Sequence, residues 1–292
     1  MPAASVSPDR VNEVLCAVIA EEVLPAFGNL RPGDVLHKET PNDPDDMVSS
    51  VDRAVEARLA AALQDLLPGS LIVGEEAVHA NERLLTSLTS DGPVWVIDPI
   101  DGTRNFVRGE PEFGVMLALV VSGTTRAAWI ALPARDQLFV AEAGGGSWLN
   151  GQRVSVAAAP DSARPRGTIY TKYMPEPLKS SVIGRSFAPF EPVLASGSAA
   201  VEYTDLVQSR KDFAVYHRLL PWDHLPGALL LEEAGGSARL LTGAEYRPVH
   251  RTGPLILAAD SQLAERVRSW LAAALAHDAG AGQPGSGQSN RS

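Results

Sequence analysis

Apolar residues recur along this chain in two rhythms, one helical and one extended. Val11, Val14, Leu15, Val18 and Ile19 mark one face of a helix, with Ser7-Pro8 as its start and Pro25 as its stop. Val51, Val55, Leu59, Leu63 and Leu66 mark a second, opened at Ser49 or Ser50 and closed by Pro68-Gly69. Short β-rich runs at 71–73 and 94–97 predict strands, and 113–121, 126–132 and 137–141 predict successive antiparallel ones. Asn150-Gly151 fits a two-residue hairpin turn into a strand at 153–156. Beyond a polar, proline-bearing stretch at 160–166, strands are expected at 168–173, 212–217 and 254–260. Helices are expected to open at 197–200 and to span 225–234 and 262–276. Residues 28–48, rich in Gly, Pro and Asp, read as a loop or loose hairpin with freedom to move.

This alternation predicts an α/β chain in two halves, 1–159 and 160–277, joined at the 160–166 stretch. From 278 to 292 the chain is Gly, Ala, Gln, Ser and Pro without apolar periodicity. That tail is expected to be disordered, and removal of residues 280–292 to change little. No internal repeat is present.

Composition narrows the function classes. At 292 residues, 45% hydrophobic and 21% charged, the chain is an ordinary globular protein with room for a large core. A net charge of −10 argues against a nucleic-acid polymer as partner, although bound cations could still draw an anionic substrate to it. Cys16 is the single cysteine, so no intramolecular disulfide and no thiolate metal site is available; its place beside an apolar face suggests a core position. The N-terminus carries no signal-peptide pattern, and the longest apolar run, 115–121, is too short to span a bilayer. A cytoplasmic location away from membranes is the expectation.

The chemistry concentrates where the 94–97 run breaks into Asp98-Pro99-Ile100-Asp101-Gly102-Thr103. Proline cannot continue a central ladder and glycine permits a tight turn, so the strand should stop where the acids begin. Asp98 and Asp101 can converge on one spot, with Gly102 and Thr103 offering N–H groups to an anion. The same residues would also suit a plain turn. Two residues between the acids exclude the Asp-x-Asp spacing of phosphatases with an aspartyl nucleophile. Gly74-Glu75-Glu76 ends the 71–73 run in acids as well. Asp52 has capping-box spacing from Ser49, and Asp223, in Pro221-Trp222-Asp223-His224, stands near a helix start. His224 reads as a packing or hydrogen-bonding residue, because no second histidine lies at ligand spacing. Small residues at Gly197-Ser198-Ala199-Ala200 allow a second close approach to backbone.

Taken together, Gly74-Glu75-Glu76, the 95–106 stretch, residues 197–200 and residues 221–236 resemble the inositol monophosphatase family, over about residues 10–275. The resemblance implies a layered α/β sandwich of alternating helix and sheet layers, usually a homodimer, and a metal-dependent phosphoric monoester hydrolase. It implies two or three Mg²⁺ ions, one held by Glu75, Asp98 and the Ile100 carbonyl, another by Asp98, Asp101 and Asp223. Thr103 and Asp52, with Glu75, would form the catalytic set that handles the attacking water. Gly102, Thr103, Ser198, Ala199, Tyr216, Asp101 and Asp223 would contact a small phosphorylated substrate. Glu76 and, more weakly, Lys38 stand behind them. The chemistry agrees, since Mg²⁺ takes oxygen ligands and paired ions can clamp both oxygens of an in-line displacement.

One departure bears on substrate. Seven residues before the Asp223 position, inositol-hydrolysing relatives tend to carry a glutamate, and this chain has Tyr216. Inositol 1-phosphate is therefore expected to be hydrolysed without being the best substrate, and Tyr216→Glu to improve it. Histidinol phosphate, fructose 1,6-bisphosphate and 3′-phosphoadenosine 5′-phosphate are the alternatives within the family. The rival from another class is a catalytically silent relative binding a phosphorylated ligand; it should have lost a metal carboxylate or Thr103, and all are present.

Overall fold

A computed structural model describes residues 6–37, 47–158, 164–185, 187 and 189–281. α1 (Pro8–Val18) begins where Ser7-Pro8 predicts, though the Ser7 side chain makes no capping bond. Val11, Leu15 and Val18 are buried, but Cys16, one 100° step around the helix, is exposed rather than in the core. Pro25 does not stop the helix at once. A π turn over Ile19–Val23 intervenes, with the Leu24 N–H bonding Ile19 O, and Pro25 sits in the short α2 (Leu24–Ala26). The wider turn shifts the carbonyl ladder that a proline ring would otherwise strike.

β1 (Val35–His37) and β2 (Met47–Ser49) pair antiparallel, giving the two arms of the expected hairpin. Lys38, Asp43, Asp45 and Asp46 lie between them, outside the described residues. α3 (Ser50–Leu66) leads to β3 (Leu71–Gly74), which runs directly into α4 (Glu75–Ala80). β4 (Pro93–Asp101) is followed by α5 (Thr103–Arg108). β5 (Gly114–Val121), β6 (Thr124–Leu132), β7 (Gln137–Glu142), β8 (Gly146–Leu149) and β9 (Gln152–Val154) then meander antiparallel beside it. At the last hairpin Asn150 and Gly151 take φ 48° and 77°, the two positive values a type I′ turn requires.

The second sheet is built from β10 (Arg166–Ile169), β11 (Glu191–Pro192), β12 (Phe213–Arg218), β13 (Ser237–Leu240) and β14 (Thr252–Ala258), in the order β11-β10-β12-β14-β13. α6 (Leu178–Gly184), α7 (Ala199–Val207), α8 (Pro221–Glu233) and α9 (Ser261–Ala281) connect or follow these strands. α8 starts at Pro221, four residues before the apolar pattern does, which puts Asp223 in its first turn. α9 continues past residue 278 to Ala281, so the expected tail begins as helix; residues 282–292 lie outside the description.

Alternating faces stack these parts into five layers. Val11, Leu15, Val55 and Leu59 of α1 and α3 pack on Trp95, Ile97, Leu117 and Trp129 of the seven-stranded sheet. α7 and α8 fill the space between the sheets, against Met116, Ala128 and Ile130 on one side and Ala214, Leu255 and Leu257 on the other. α6 and α9 cover the outer face of the five-stranded sheet through Val182, Val267 and Leu271. The α7–α8 contact depends on Gly227, where a Cβ would lie 2.1 Å from the Tyr203 ring. Gly227→Ala is therefore expected to cost roughly 3 kcal/mol, the upper end of overpacking. A thermal melt should show a fall of about 6–12 °C; an unchanged melting temperature would mean that the two helices are not packed this tightly.

Candidate active site

Two residues three apart in a regular strand point to opposite faces. Asp98 and Asp101 escape that rule because β4 does not stop at Asp98 but continues through a bulge. Asp98 pairs with Met116 and Asp101 with Gly114, three steps along β4 against two along β5. Met116 and Gly114 share a face, so their partners do too, and both acids turn toward the α7–α8 layer while Ile100 packs on the opposite side. β3 ends opposite Ile97, which leaves Pro99 on an edge where its missing N–H is tolerated. Gly102 then takes φ +80°, and a Cβ there would meet Glu112 O at 2.9 Å; only glycine fits this link to α5.

Asp223, from the first turn of α8, meets the two strand acids. Asp98, Asp101 and Asp223 each present a carboxylate oxygen, all within 4.8 Å of one another. Asp98 is 1% exposed and its Oδ1 has no hydrogen-bond partner among the described residues. Burial first, then the charges of Glu75, Asp101, Asp223 and Asp52, push its carboxyl well above the usual range. Burial raises Asp101 as well, against hydrogen bonds that favour its charged form. Carboxylates so placed cannot all ionise without a compensating cation.

Asp101 also occupies the start of α7. Ala199 N donates to its Oδ1 at 3.1 Å, Ala200 N to its Oδ2 at 2.8 Å, and the Ser198 hydroxyl to Oδ2. The backbone that the small residues at 197–200 leave approachable is thus engaged by a carboxylate of the chain itself.

Asp52 is fixed by its cap. Ser49 N and Oγ donate to Oδ2 at 2.9 and 2.5 Å, and Thr103 Oγ1 lies 3.2 Å from Oδ1 and 2.9 Å from Ile100 O. Capping and site placement coexist in one residue. Glu75 is the first residue of α4 and lines the same cavity. Its helix is anchored by Glu56, one turn beyond Asp52 on α3, which accepts from Glu76 N and Ala77 N at 2.8 Å each.

These groups open into a cavity of about 660 Å³ whose other wall is formed around Tyr170, Lys172, Tyr173, Tyr216 and Arg218. Tyr216 stacks between Tyr170 and Tyr203, at ring distances of 4.3 and 6.4 Å. His224 is buried and neutral, its pKa lowered by burial to about 4. Its Nε2 faces Arg218 O at 3.0 Å and its Nδ1 the Tyr203 hydroxyl at 3.1 Å, the structural role expected for it. Sequence reasoning did not find Glu56, Tyr170, Lys172 or Arg218. The signal for Glu56 was its i+4 spacing from Asp52 beside an apolar stripe; nothing local marks the other three.

Comparison with known proteins agrees with this geometry. The model of the inositol monophosphatase family matches residues 8–277. The chain is 33% identical over 229 residues to Nus factor SuhB of Salmonella typhimurium, covering 73% of this chain and 82% of that protein. It is 29% identical over 210 residues to the inositol-1-monophosphatase of Bacillus subtilis, covering 71% and 77%. The solved IMPase of Thermotoga maritima superposes with a TM-score of 0.75 at 24% identity, over 92% of this chain and 99% of that one. Among the described residues no helix is long and apolar enough to cross a membrane.

Proposed function

This chain belongs to the inositol monophosphatase family, a family of phosphoric monoester hydrolases that includes named inositol monophosphatases, and we propose that it hydrolyses a small phosphorylated alcohol with Mg²⁺ and an activated water. The observation that carries this reading is the buried Asp98 Oδ1, partnerless and surrounded by carboxylates. An all-oxygen, multiply anionic donor set suits a hard divalent cation. Glu75, Asp98 and the Ile100 carbonyl would hold one ion, and Asp98, Asp101 and Asp223 a second. When bound, such ions polarise the phosphoryl group and make water more acidic.

The chain's own groups supply the rest. Thr103 Oγ1 can give its one proton to Asp52 or to Ile100 O, leaving a lone pair aimed at water. Asp52 is the final proton acceptor, held by Ser49 so that no reorganisation is needed during proton transfer. The N–H groups of Gly102 and Thr103, at a helix start without intrahelical partners, receive phosphoryl oxygens as charge builds. Ser198 and Ala199 act by fixing Asp101. A homodimer and a cytoplasmic location belong to the same reading and rest on family likeness alone.

The substrate is distinguished by the wall opposite the acids. Tyr216 is 9% exposed and stacked, so Tyr216→Glu would bury a carboxylate near Glu202 rather than simply restore an inositol contact. Phosphate release from a panel of phosphomonoesters should show inositol 1-phosphate hydrolysed roughly ten- to a hundredfold less efficiently than the best member, the worth of one charge-assisted hydrogen bond. Inositol 1-phosphate at the head of the panel would contradict the selectivity, leaving the reaction type intact.

A further inference from the structure

Deep in the second half of the chain lies an ion pair that the chemistry above does not use. Glu202, in the first turn of α7, and Lys211, just before β12, are 0% and 5% exposed. Both carboxylate oxygens of Glu202 lie 2.6 Å from Lys211 Nζ. A pair sealed this deeply gives up two hydration shells, and apolar residues of similar volume commonly stabilise a fold as well or better. What apolar residues cannot do is donate and accept. Lys211 Nζ also donates to Leu194 O and to Thr168 Oγ1 of β10, each at 3.3 Å, and Glu202 Oε1 accepts from Ser196 N at 2.8 Å.

The bonds to Leu194 and Ser196 land on residues 193–197, the segment that leads into α7. None of its side chains is buried, and Leu194 is 92% exposed. With no apolar anchor, the segment is placed by polar contacts. Val193 N donates to Gly167 O at 2.8 Å, and Asn105 Nδ2 of α5 donates to Ser196 O at 2.9 Å. The Ser196 hydroxyl in turn donates to Ser198 O at 2.9 Å. Ser198 and the two alanines after it are the donors that hold Asp101. A line of hydrogen bonds thus runs from the buried pair through Ser196 to a carboxylate of the acidic cluster.

We propose that the Lys211–Glu202 pair is a positioning device for Asp101: it fixes the entry to α7, and through that entry the orientation in which Asp101 offers an oxygen to a divalent cation. The inference rests on the metal-dependent reading of the site and adds to it two residues that do not line the cavity. Three directed donors set the orientation of the Asp101 carboxylate. A cation site loses affinity when the groups behind its ligands are free to turn.

The test reads Mg²⁺ binding to the full chain by titration calorimetry with Mg²⁺ alone, and in parallel the Mg²⁺ concentration that gives half-maximal turnover of p-nitrophenyl phosphate. Glu202→Leu combined with Lys211→Met removes both charges and leaves neither unpaired, so the fold should persist. Both Mg²⁺ readings should rise by about tenfold, the lower end for groups that orient a metal ligand, while kcat at saturating Mg²⁺ changes less. Glu202→Gln combined with Lys211→Met keeps an acceptor for Ser196 N and should recover part of that loss. Leu271→Ala weakens the outer layer without touching this line of bonds, and should leave both readings at the wild-type value. If the first double variant does not fold, the second carries the same test with a smaller rise, because it has still lost the bond to Leu194 O. A folded double variant that binds Mg²⁺ as the wild type does, or a Leu271→Ala chain with the same rise, would overturn the positioning role and leave the phosphatase standing. A wild-type chain that binds no Mg²⁺ would overturn both.

Discussion

Asp98→Asn is expected to reduce turnover by about a thousandfold or more while raising the melting temperature of the metal-free chain. The two effects have one cause. Asp98 is buried, its Oδ1 lacks a partner, and four other carboxylates act on it. Asparagine has neither a charge to bury nor a proton to take up on folding, so that cost disappears, a gain of about 1 kcal/mol or more, which for a chain of this size is roughly 2–4 °C. It also removes the carboxylate that both proposed ions would share, so the stabilisation that Mg²⁺ gives the wild type should largely vanish. A site held together for function at the expense of stability has this signature. An Asp98→Asn chain that turned over normally, or melted lower without metal, would show that the acid is structural.

Thr103→Val should leave the fold intact and lower kcat by about a hundred- to ten-thousandfold, the range for a positioned proton-transfer group. Valine keeps the shape of threonine but cannot bond Asp52 Oδ1 or Ile100 O, now met at 3.2 and 2.9 Å. Thr103→Ser restores the hydroxyl and should recover activity to within about tenfold, while KM changes little in either variant. A valine variant with normal kcat would remove Thr103 from the mechanism and leave Asp52 to be tested alone.

The reach of the sequence differs from element to element for physical reasons. Ser49 and Asp52 were legible as a capping box, and Asn150-Gly151 as a type I′ turn, because local backbone chemistry decides both. The convergence of Asp98 and Asp101 was legible, its cause was not: a stop at Pro99 was expected, and a bulge that carries β4 on to Asp101 depends on the partner strand. The π turn before Pro25 and the exposure of Cys16 both follow from how α1 seats on its sheet. α6 was missed because its seven residues, with Leu178 and Val182 alone on the buried face, carry too short a period. Tyr170 and Arg218 reach one cavity wall only because β10 and β12, more than forty residues apart, lie side by side. Lys38, expected as a weak participant, lies outside the described residues.

The central claim, an acidic site that works through divalent cations on phosphate esters, is tested most directly by phosphate release from p-nitrophenyl phosphate. The chain should first be stripped with EDTA and then assayed with and without added Mg²⁺. No turnover above background is expected in the stripped protein, with full recovery on Mg²⁺ addition, because carboxylates this crowded cannot receive a phosphate dianion alone. Turnover by the stripped protein at the Mg²⁺-supplemented rate would contradict it.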